Sequence, residues 1–222
     1  MKISVIIPVY NETATCIELI NRVQAVPIEK EIIVVDDGST DGSTDKLAAL
    51  DNITLLKHEV NCGKGAAVQT AVEHIAGELV ILQDGDLEYD PADYQKLIKP
   101  ITTGQADVVF GSRWLGKHNA WSLHYLGNKL ITFFSNIINQ RCINDMASCY
   151  KTIPADIFRS LELKSNGFGL EAEITAKVFR KGFSVKEIPI SYERRTSAEG
   201  KKLRLKDGLV SAWACLRYRF FD

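Results

Sequence analysis

The sequence predicts an α/β fold with a mostly parallel sheet that is covered by helices on both faces. Short, nearly continuous apolar runs alternate along the chain with segments of helical periodicity. Strands of this uniform apolar character are typical of sheets buried on both sides. Polar clusters follow the apolar runs at their carboxyl ends, which is the edge where such sheets bind ligands.

The first half of the chain contains five predicted strands, each bounded by polar or turn residues. They cover residues 3–9, 31–36, 53–58, 78–83 and 107–110. Helical patterns lie between them at 14–26, 44–50, 65–76 and 91–102. Regular alternation of strand and helix predicts a parallel sheet rather than a set of antiparallel hairpins.

The pattern changes in the second half of the chain, where helices predominate. They are predicted at 121–139, 154–161 and 171–180, and the tail at 203–221 mixes apolar and basic residues. An alternating strand is predicted at 183–192, and its Pro189 indicates a sheet edge or a bulge. No low-complexity linker or repeat divides the chain, so we interpret residues 1–222 as a single domain.

Composition excludes several classes of protein. The formal charge of −1 over 222 residues argues against nucleic acid as a partner. Five scattered cysteines without a C-x-x-C pair are typical of a reduced, cytoplasmic protein. The N-terminus lacks the pattern of a signal peptide, and no apolar run approaches the roughly 18 residues needed to cross a bilayer. We therefore expect a soluble protein, or at most a peripheral one on the cytoplasmic face of a membrane.

Three acidic residues at alternate positions follow the apolar run 79–83. In an extended segment, Asp84, Asp86 and Glu88 would point to the same side. Carboxylates that face one another repel unless a cation lies between them, and hard oxygen ligands suit Mg²⁺ or Mn²⁺. The alternative is an ordinary acidic turn after a buried strand.

Several segments together resemble the family 2 glycosyltransferases, which have the GT-A fold. They are VIIPVYNE, IIVVDDGSTDGS, NCGKGAA, LQDGDLEYDP, FGSRW and GFGLEAEITAKVFRKGFSVKEIPISYERR with the following GKK. Their order most resembles the dolichyl- and polyprenyl-phosphate sugar transferases of the dolichyl-phosphate mannosyltransferase type. Many of these relatives carry C-terminal transmembrane helices, and this sequence reaches Asp222 without one.

The resemblance implies a nucleotide-sugar half at 1–113 and an acceptor half, with a C-terminal loop and helix, at 114–222. The implied nucleotide-sugar ligands are Pro8, Tyr10, Glu12, Val35, Asp37, Lys64, Asp84, Gly85, Asp86, Arg113, Arg195 and Lys201. The implied catalytic residues are Asp86, Arg113, Arg195 and Lys201, and the implied metal ligands are Asp84, Asp86 and Glu88. The ordinary alternatives are a rim aromatic for Tyr10, a structural role for Lys64 and a solvated charge cluster around Arg195.

The reaction that the resemblance implies is an inverting, metal-dependent hexose transfer from a GDP-mannose- or UDP-glucose-type donor to a polyprenyl or dolichyl phosphate. A lipid phosphate is already anionic and needs no general base. A same-fold transferase acting on a saccharide hydroxyl would need one, for which Asp145 and Glu171 are the candidates. A non-catalytic nucleotide-sugar-binding protein is a further alternative.

Two expectations concern the C-terminal region. The segment Thr196–Gly200 is expected to be a mobile loop that closes when Arg195 and Lys201 bind the donor diphosphate. The apolar residues of the tail recur at spacings that line one face of a helix; they are Leu209, Trp213, Leu216 and Phe220. That face either packs on the domain's own core or contacts a membrane surface, and a membrane-protein partner is a third possibility.

Overall fold

Seven strands form one sheet at the centre of the computed structural model, which describes residues 1–115, 123–195 and 205–222. The strands are β1 (Ile3–Val9), β2 (Lys30–Asp36), β3 (Thr54–Lys57), β4 (Leu79–Leu82), β5 (Val108–Ser112), β6 (Lys151–Pro154) and β7 (Val185–Pro189). Their order across the sheet is β3-β2-β1-β4-β6-β5-β7. All neighbours are parallel except that β6 is antiparallel to both β4 and β5. The predicted mostly parallel sheet is confirmed.

Within these described ranges, eight helices surround the sheet. They are α1 (Cys16–Ala25), α2 (Ser43–Ala48), α3 (Lys64–Ala71), α4 (Tyr94–Thr102), α5 (Leu123–Asn139), α6 (Ala155–Ser160), α7 (Leu170–Arg180) and α8 (Leu205–Phe220). Short 3₁₀ turns follow α3 at Val72–His74 and precede α4 at Pro91–Asp93. Residues 170–179 of α7 are all buried, because α8 covers the side of α7 that would otherwise face solvent.

The strand β6 is absent from the sequence prediction, which assigns nothing to residues 151–153. It pairs in register with both neighbours, with Ile153 opposite Val80 of β4 and Thr152 opposite Val109 of β5. Four residues are too few to show an alternating pattern, so only the long-range pairing defines this strand. The helix predicted from Pro154 begins one residue later, at Ala155.

The two ends of the sheet are formed by β3 and β7. The burial of both strands is incomplete, in contrast to β4 and β5, in which every residue is buried. Pro189 ends β7, and the part of the chain that the structure describes contains no strand beyond β7. The prediction that Pro189 marks an edge is confirmed, because a proline there removes no hydrogen bond that a further neighbour would need.

The C-terminal helix α8 packs on α5 and α7 through Ala214, Cys215 and Tyr218, which are buried. The stripe that the sequence identifies faces outward: Leu209 is 77% exposed and Trp213 59% exposed. Packing of this stripe on the domain's own core is therefore wrong. Among the helices of the described residues, none is both long and apolar enough to span a membrane.

Candidate active site

The carboxyl ends of β1, β2, β4 and β5 carry most of the residues that the sequence assigns to the site. Two clusters of charge form there, each with one basic side chain between two carboxylates. The first contains Lys64, Asp84 and Glu171. The second contains Arg195, Glu12 and Asp86. Lys201, Lys202 and the predicted loop Thr196–Gly200 lie outside the described residues.

In the first cluster, the ammonium of Lys64 lies 2.6 Å from Asp84 Oδ1 and 2.6 Å from Glu171 Oε1. Burial alone would raise the pKa of Asp84, but the charge of Lys64 and its hydrogen bond outweigh burial and lower that pKa. The two carboxylates likewise outweigh burial at Lys64 and hold its pKa well above the ordinary value. Glu171 lies in the first turn of α7, where the helix dipole also favours a negative charge.

Close backbone packing puts Lys64 in this position. Gly63, which precedes α3, has a φ of +99°, and a Cβ at Gly65 would lie 1.8 Å from the carbonyl oxygen of Ser165. The segment at 165–166 therefore crosses directly over the start of α3 and excludes any side chain there. The two glycines of the N-C-G-K-G pattern therefore pack against residues 165–166, and Lys64 between them reaches Asp84 and Glu171.

In the second cluster, the guanidinium of Arg195 donates to both Glu12 oxygens, at 2.9 and 3.2 Å, and to Asp86 Oδ2 at 2.6 Å. Burial raises the pKa of Asp86 to about 7, with further raising by the charges of Asp84 and Glu88 that Arg195 only partly offsets. Asp86 therefore lies in an excess of negative charge. The carboxylate of Glu12 also accepts a hydrogen bond from Thr15.

Glu88 bonds the segment that leads to Arg195. The strand ends at Leu82, and the backbone N–H of Glu88 donates to Asp86 Oδ1, which turns the chain. The carboxylate of Glu88 accepts from the Tyr192 hydroxyl at 3.1 Å and from the backbone N–H of Arg195 at 2.8 Å. The expectation that three carboxylates converge from one extended segment is wrong, because the segment is not extended.

Three potential metal ligands lie close together at a different place in the described residues. Over residues 1–115, 123–195 and 205–222, the one group of three acidic, histidine or cysteine ligand atoms within 4.8 Å of one another is Asp37, His58 and Cys62. At the acidic segment, the hard oxygens of Asp84 and Asp86 still match Mg²⁺ or Mn²⁺. The raised pKa of Asp86, caused by burial and by Asp84, marks a point at which a cation would relieve repulsion. These two residues fit a divalent cation.

The side chain of Arg113 is held by Asp145, an acidic residue whose role the sequence leaves open. Its guanidinium donates to both oxygens of Asp145 at 2.8 Å, and its backbone N–H donates to the same carboxylate at 3.0 Å. Asp145 is fully buried, and the charge of Arg113 outweighs burial and lowers its pKa. The guanidinium carbon lies 5.0 Å from the ring centre of Trp114 and 5.2 Å from that of Tyr192. Arg113 is therefore fixed in position and only 5% exposed.

Asp37 organises the loop after β3. Its carboxylate accepts from the backbone N–H groups of Cys62 and Gly63, both at 2.8 Å, and bonds His58 Nδ1 at 2.7 Å. The other ring nitrogen of His58 bonds the hydroxyl of Thr70. His58 is not among the residues that the sequence assigns to the site. No local spacing connects it to Asp37, since the contact depends on the pairing of β2 with β3.

The remaining predicted ligands lie around the end of β1. Pro8 and Tyr10 are partly exposed there, and a Cβ at Gly85 would lie 2.9 Å from the carbonyl oxygen of Pro8. The loop after β4 therefore packs on the end of β1 and keeps Asp84 and Asp86 near Glu12. Val35 is fully buried, with its side chain in the core, so only its backbone can face a ligand.

This arrangement of sheet and flanking helices is a GT-A-like fold. A solved structure of glucosyl-3-phosphoglycerate synthase from Mycobacterium tuberculosis, described as a complex with Mn²⁺, uridine-diphosphate and glucosyl-3-phosphoglycerate, has the same fold. The TM-score is 0.75 at 21% identity, over 98% of this chain and 79% of that one. At this identity the likeness establishes the fold alone.

Sequence comparison identifies the family. The family described as Glycosyl transferase family 2 matches residues 4–159, and the chain belongs to this family and is a glycosyltransferase. Glycosyltransferase AglJ of Haloferax volcanii is 30% identical over 210 residues, covering 93% of this chain and 68% of the relative. A dolichol-phosphate mannosyltransferase of Pyrococcus furiosus is 30% identical over 214 residues, covering 90% of this chain and 59% of the relative. The chain thus spans 59% to 68% of the length of these two curated relatives.

Proposed function

We propose that the protein transfers a hexose from a nucleoside-diphosphate sugar to a polyprenyl phosphate, with inversion at the anomeric carbon. The observation that carries this proposal is the state of the two candidate general bases. Asp145 is fully buried and bound by Arg113, and Glu171 is bound by Lys64. Neither is available to take a proton from a saccharide hydroxyl, whereas an anionic phosphate attacks without a base. The name of the Pyrococcus furiosus relative supports the same acceptor class.

The donor is expected at the carboxyl edge of β1, β2 and β4. We assign the nucleotide to the first 113 residues and the acceptor mainly to residues 114–222. Tyr10 offers a ring face to the base or ribose, and the backbone around Pro8 and Val35 borders the same space. Asp37 would accept from the base only with the lone pairs that Cys62, Gly63 and His58 leave available.

Asp84 and Asp86 are the residues that would hold Mg²⁺ or Mn²⁺, a proposal supported by the Mn²⁺ in the M. tuberculosis relative. When bound, the divalent cation supplies positive charge that stabilises the departing diphosphate. Asp86 would have to release Arg195 in order to bind the cation, because Arg195 and the cation would compete for the same carboxylate. Glu88 is a weaker candidate for a ligand, because it already holds the 192–195 segment.

Arg195 is placed to change partners during donor binding. In the structure its guanidinium donates hydrogen bonds to Glu12 and Asp86. When the nucleotide sugar is bound, diphosphate oxygens would accept these hydrogen bonds in place of the carboxylates. Paired hydrogen bonds from Arg195 would then stabilise the negative charge of the departing diphosphate. An oxygen of the acceptor phosphate then bonds to the anomeric carbon as the bond from that carbon to the diphosphate oxygen breaks. Arg113, fixed by Asp145, is positioned to orient a phosphate group of donor or acceptor.

Such a reaction transfers a sugar from a water-soluble donor to a lipid acceptor, so we place the protein at the cytoplasmic face of a membrane.

Thermal-shift screening of GDP- and UDP-sugars with Mn²⁺ would identify the donor as the nucleotide sugar that raises the Tm of the protein. The hit is then assayed with a short-chain polyprenyl phosphate, the matching polyprenol and a panel of saccharides. Transfer to the phosphate alone, giving an inverted anomeric product, is expected. Transfer to a saccharide, or donor binding without any transfer, would overturn the proposal.

A further inference from the structure

Helix α5 has an exposed apolar face that the sequence interpretation does not single out. Four of its side chains are between 54% and 65% exposed; they are Leu126, Leu130, Phe133 and Ile137. Their spacings of four, three and four residues place them on one face of the helix. The other apolar side chains of α5, Ile131, Phe134 and Ile138, pack against the core. The outward face is therefore additional to the residues that α5 needs for folding.

Helix α8 packs on α5 and exposes apolar residues of its own. Leu209, Trp213 and Phe220 are 77%, 59% and 60% exposed, and Phe221 follows the helix at 78%. We call these residues, with the four of α5, the α5/α8 face. Neighbouring helices that both present large apolar side chains are unusual on a protein without a partner and mark an interaction surface.

The charges around this face favour an anionic partner. Helix α5 contains Lys129 and no acidic residue. The exposed Arg141 follows α5, and Arg217 is exposed near the end of α8. Asp207 is the one acidic residue of α8. A second copy would bring cations against cations, whereas anionic lipid head groups complement them, and tryptophan is favoured at the lipid interface.

The α5/α8 face continues to the candidate active site. Trp114 follows Arg113, whose guanidinium lies over its ring, and packs edge-on against Tyr125 of α5 at 4.7 Å between ring centres. The ammonium of Lys129 lies 5.8 Å from both ring centres. Aromatic and cationic side chains thus connect the arginine at the end of β5 to the first turns of α5.

We propose that the α5/α8 face docks on an anionic lipid bilayer, with the apolar side chains in the acyl boundary and Lys129, Arg141 and Arg217 among the head groups. The choice of a bilayer over another partner rests on the proposed lipid-phosphate acceptor as well as on these charges. Docking in this way would bring the Trp114–Tyr125 contact to the membrane surface. An acceptor phosphate would then reach Arg113 without leaving the bilayer.

The test is co-sedimentation of the full chain with vesicles of phosphatidylcholine alone or mixed with phosphatidylglycerol, at low and high salt. The double variant Leu130→Glu/Trp213→Glu replaces one exposed residue on each helix. Its matched control is Asn21→Glu/Gln95→Glu, which adds the same charge at exposed positions of α1 and α4. We expect binding to the mixed vesicles, a loss of about tenfold or more in the first variant and no loss in the control.

Three results would overturn the proposal: no binding of the unmodified protein, equal loss in both variants, or a stable dimer in sedimentation equilibrium that only Leu130→Glu/Trp213→Glu dissociates. Circular dichroism and donor thermal shift verify that the variants fold. Failure of the proposed function gives a different pattern. Vesicle binding would then persist with its dependence on Leu130 and Trp213, while a short-chain polyprenyl phosphate would accept no sugar.

Discussion

The two charge clusters at the sheet edge have the same pattern of charge, but their basic residues lie in different kinds of structural element. Each puts one basic side chain between two carboxylates, and the acidic residues Asp84 and Asp86 are only two positions apart. Lys64 and its partners lie on α3, at the end of β4 and on α7. Arg195 lies instead in the segment after β7, which ends at the border of the described residues.

The difference shows how one short acidic segment can contain a fixed and an exchangeable charge. At Asp84 the charge of Lys64 outweighs burial and lowers the pKa, so this residue stays ionised. At Asp86 burial and neighbouring acids raise the pKa to about 7 despite Arg195. A carboxylate held with so little net stabilisation is well suited to exchanging Arg195 for a metal cation, which leaves Arg195 available to the diphosphate. We therefore expect mutations of Lys64 to affect mainly stability and those of Arg195 mainly turnover.

The largest effect is expected from Asp86→Ala. Transfer should fall roughly ten-thousandfold, about 5 kcal/mol in the activation barrier, and nucleotide binding should lose its dependence on divalent ions. Steady-state rates and thermal shifts with and without Mn²⁺ measure both. Asp51→Ala, at an exposed site, serves as the control. Donor binding and turnover that EDTA leaves unchanged in the unmodified protein would show that no metal is involved.

Lys64→Met tests the fixed cluster. Removing the cation leaves Asp84 and Glu171 facing each other in a largely buried site, which should lower the free energy of unfolding by about 3–4 kcal/mol. Lys96→Met is the control, because Lys96 also pairs with a carboxylate at 2.6 Å but is 61% exposed, and should cost less than about 1 kcal/mol. Urea unfolding of both variants gives the comparison, and equal losses would contradict the assignment of Lys64 as structural.

Arg195→Met tests the exchangeable cluster. We expect a loss of about 1–2 kcal/mol in stability, since Asp86 can take up a proton when the arginine is absent. Turnover should fall about a hundredfold, because the departing diphosphate loses its paired donors. The neighbouring Arg194→Met, at an exposed position, should change neither quantity. A stability loss as large as that of Lys64→Met, with turnover preserved, would reverse the comparison.

A pH-dependent effect is expected at Lys151, a buried lysine that shows how Lys64 would titrate without its two close carboxylates. It is fully buried, donates to the carbonyl oxygen of Met146 and lies 4.0 Å from the ring centre of Phe110. Burial lowers its pKa to about 8, from an ordinary value of 10.5. The unfolded chain therefore binds more protons between these values, and stability should rise with pH across that window.

The measurement is the difference in unfolding free energy between the unmodified protein and Lys151→Met, followed from pH 7 to 10.5. Taking the difference removes the titration of the other lysines and tyrosines. The unmodified protein should gain relative to the variant above pH 8. A difference that stays constant with pH would mean that Lys151 titrates normally in the folded protein.

Local patterns in the sequence were sufficient for most of the fold. The strands β1, β2 and β4 are continuous apolar runs, and their polar ends do lie at one edge, because parallel strands end on the same side. The helix predicted up to Ala76 gives way to a 3₁₀ turn after Ala71. Such boundaries depend on packing rather than on the pattern itself.

The site could be predicted as a set of residues but not as a set of contacts. Which cation pairs with which carboxylate depends on residues that are 107 positions apart for Lys64 and Glu171 and 32 for Arg113 and Asp145. The predicted convergence of Asp84, Asp86 and Glu88 failed because one hydrogen bond from Glu88 to Asp86 bends the chain. The pairings are absent from local spacing, whereas the bond between Glu88 and Asp86 is a local Asx turn that a pattern of alternate residues does not reveal.

The antiparallel strand β6 has a consequence for the order in which the protein acquires its structure on the ribosome. β5 pairs only with β6 and β7, so its hydrogen-bonding groups have no neighbour until residues 151–154 have been synthesised. At about 5–20 residues per second, this apolar strand waits several seconds in an incomplete sheet. A nascent chain stalled so that residues up to 113 have left the ribosomal exit tunnel should therefore recruit chaperones that bind exposed strands, and release them once Pro154 has also emerged.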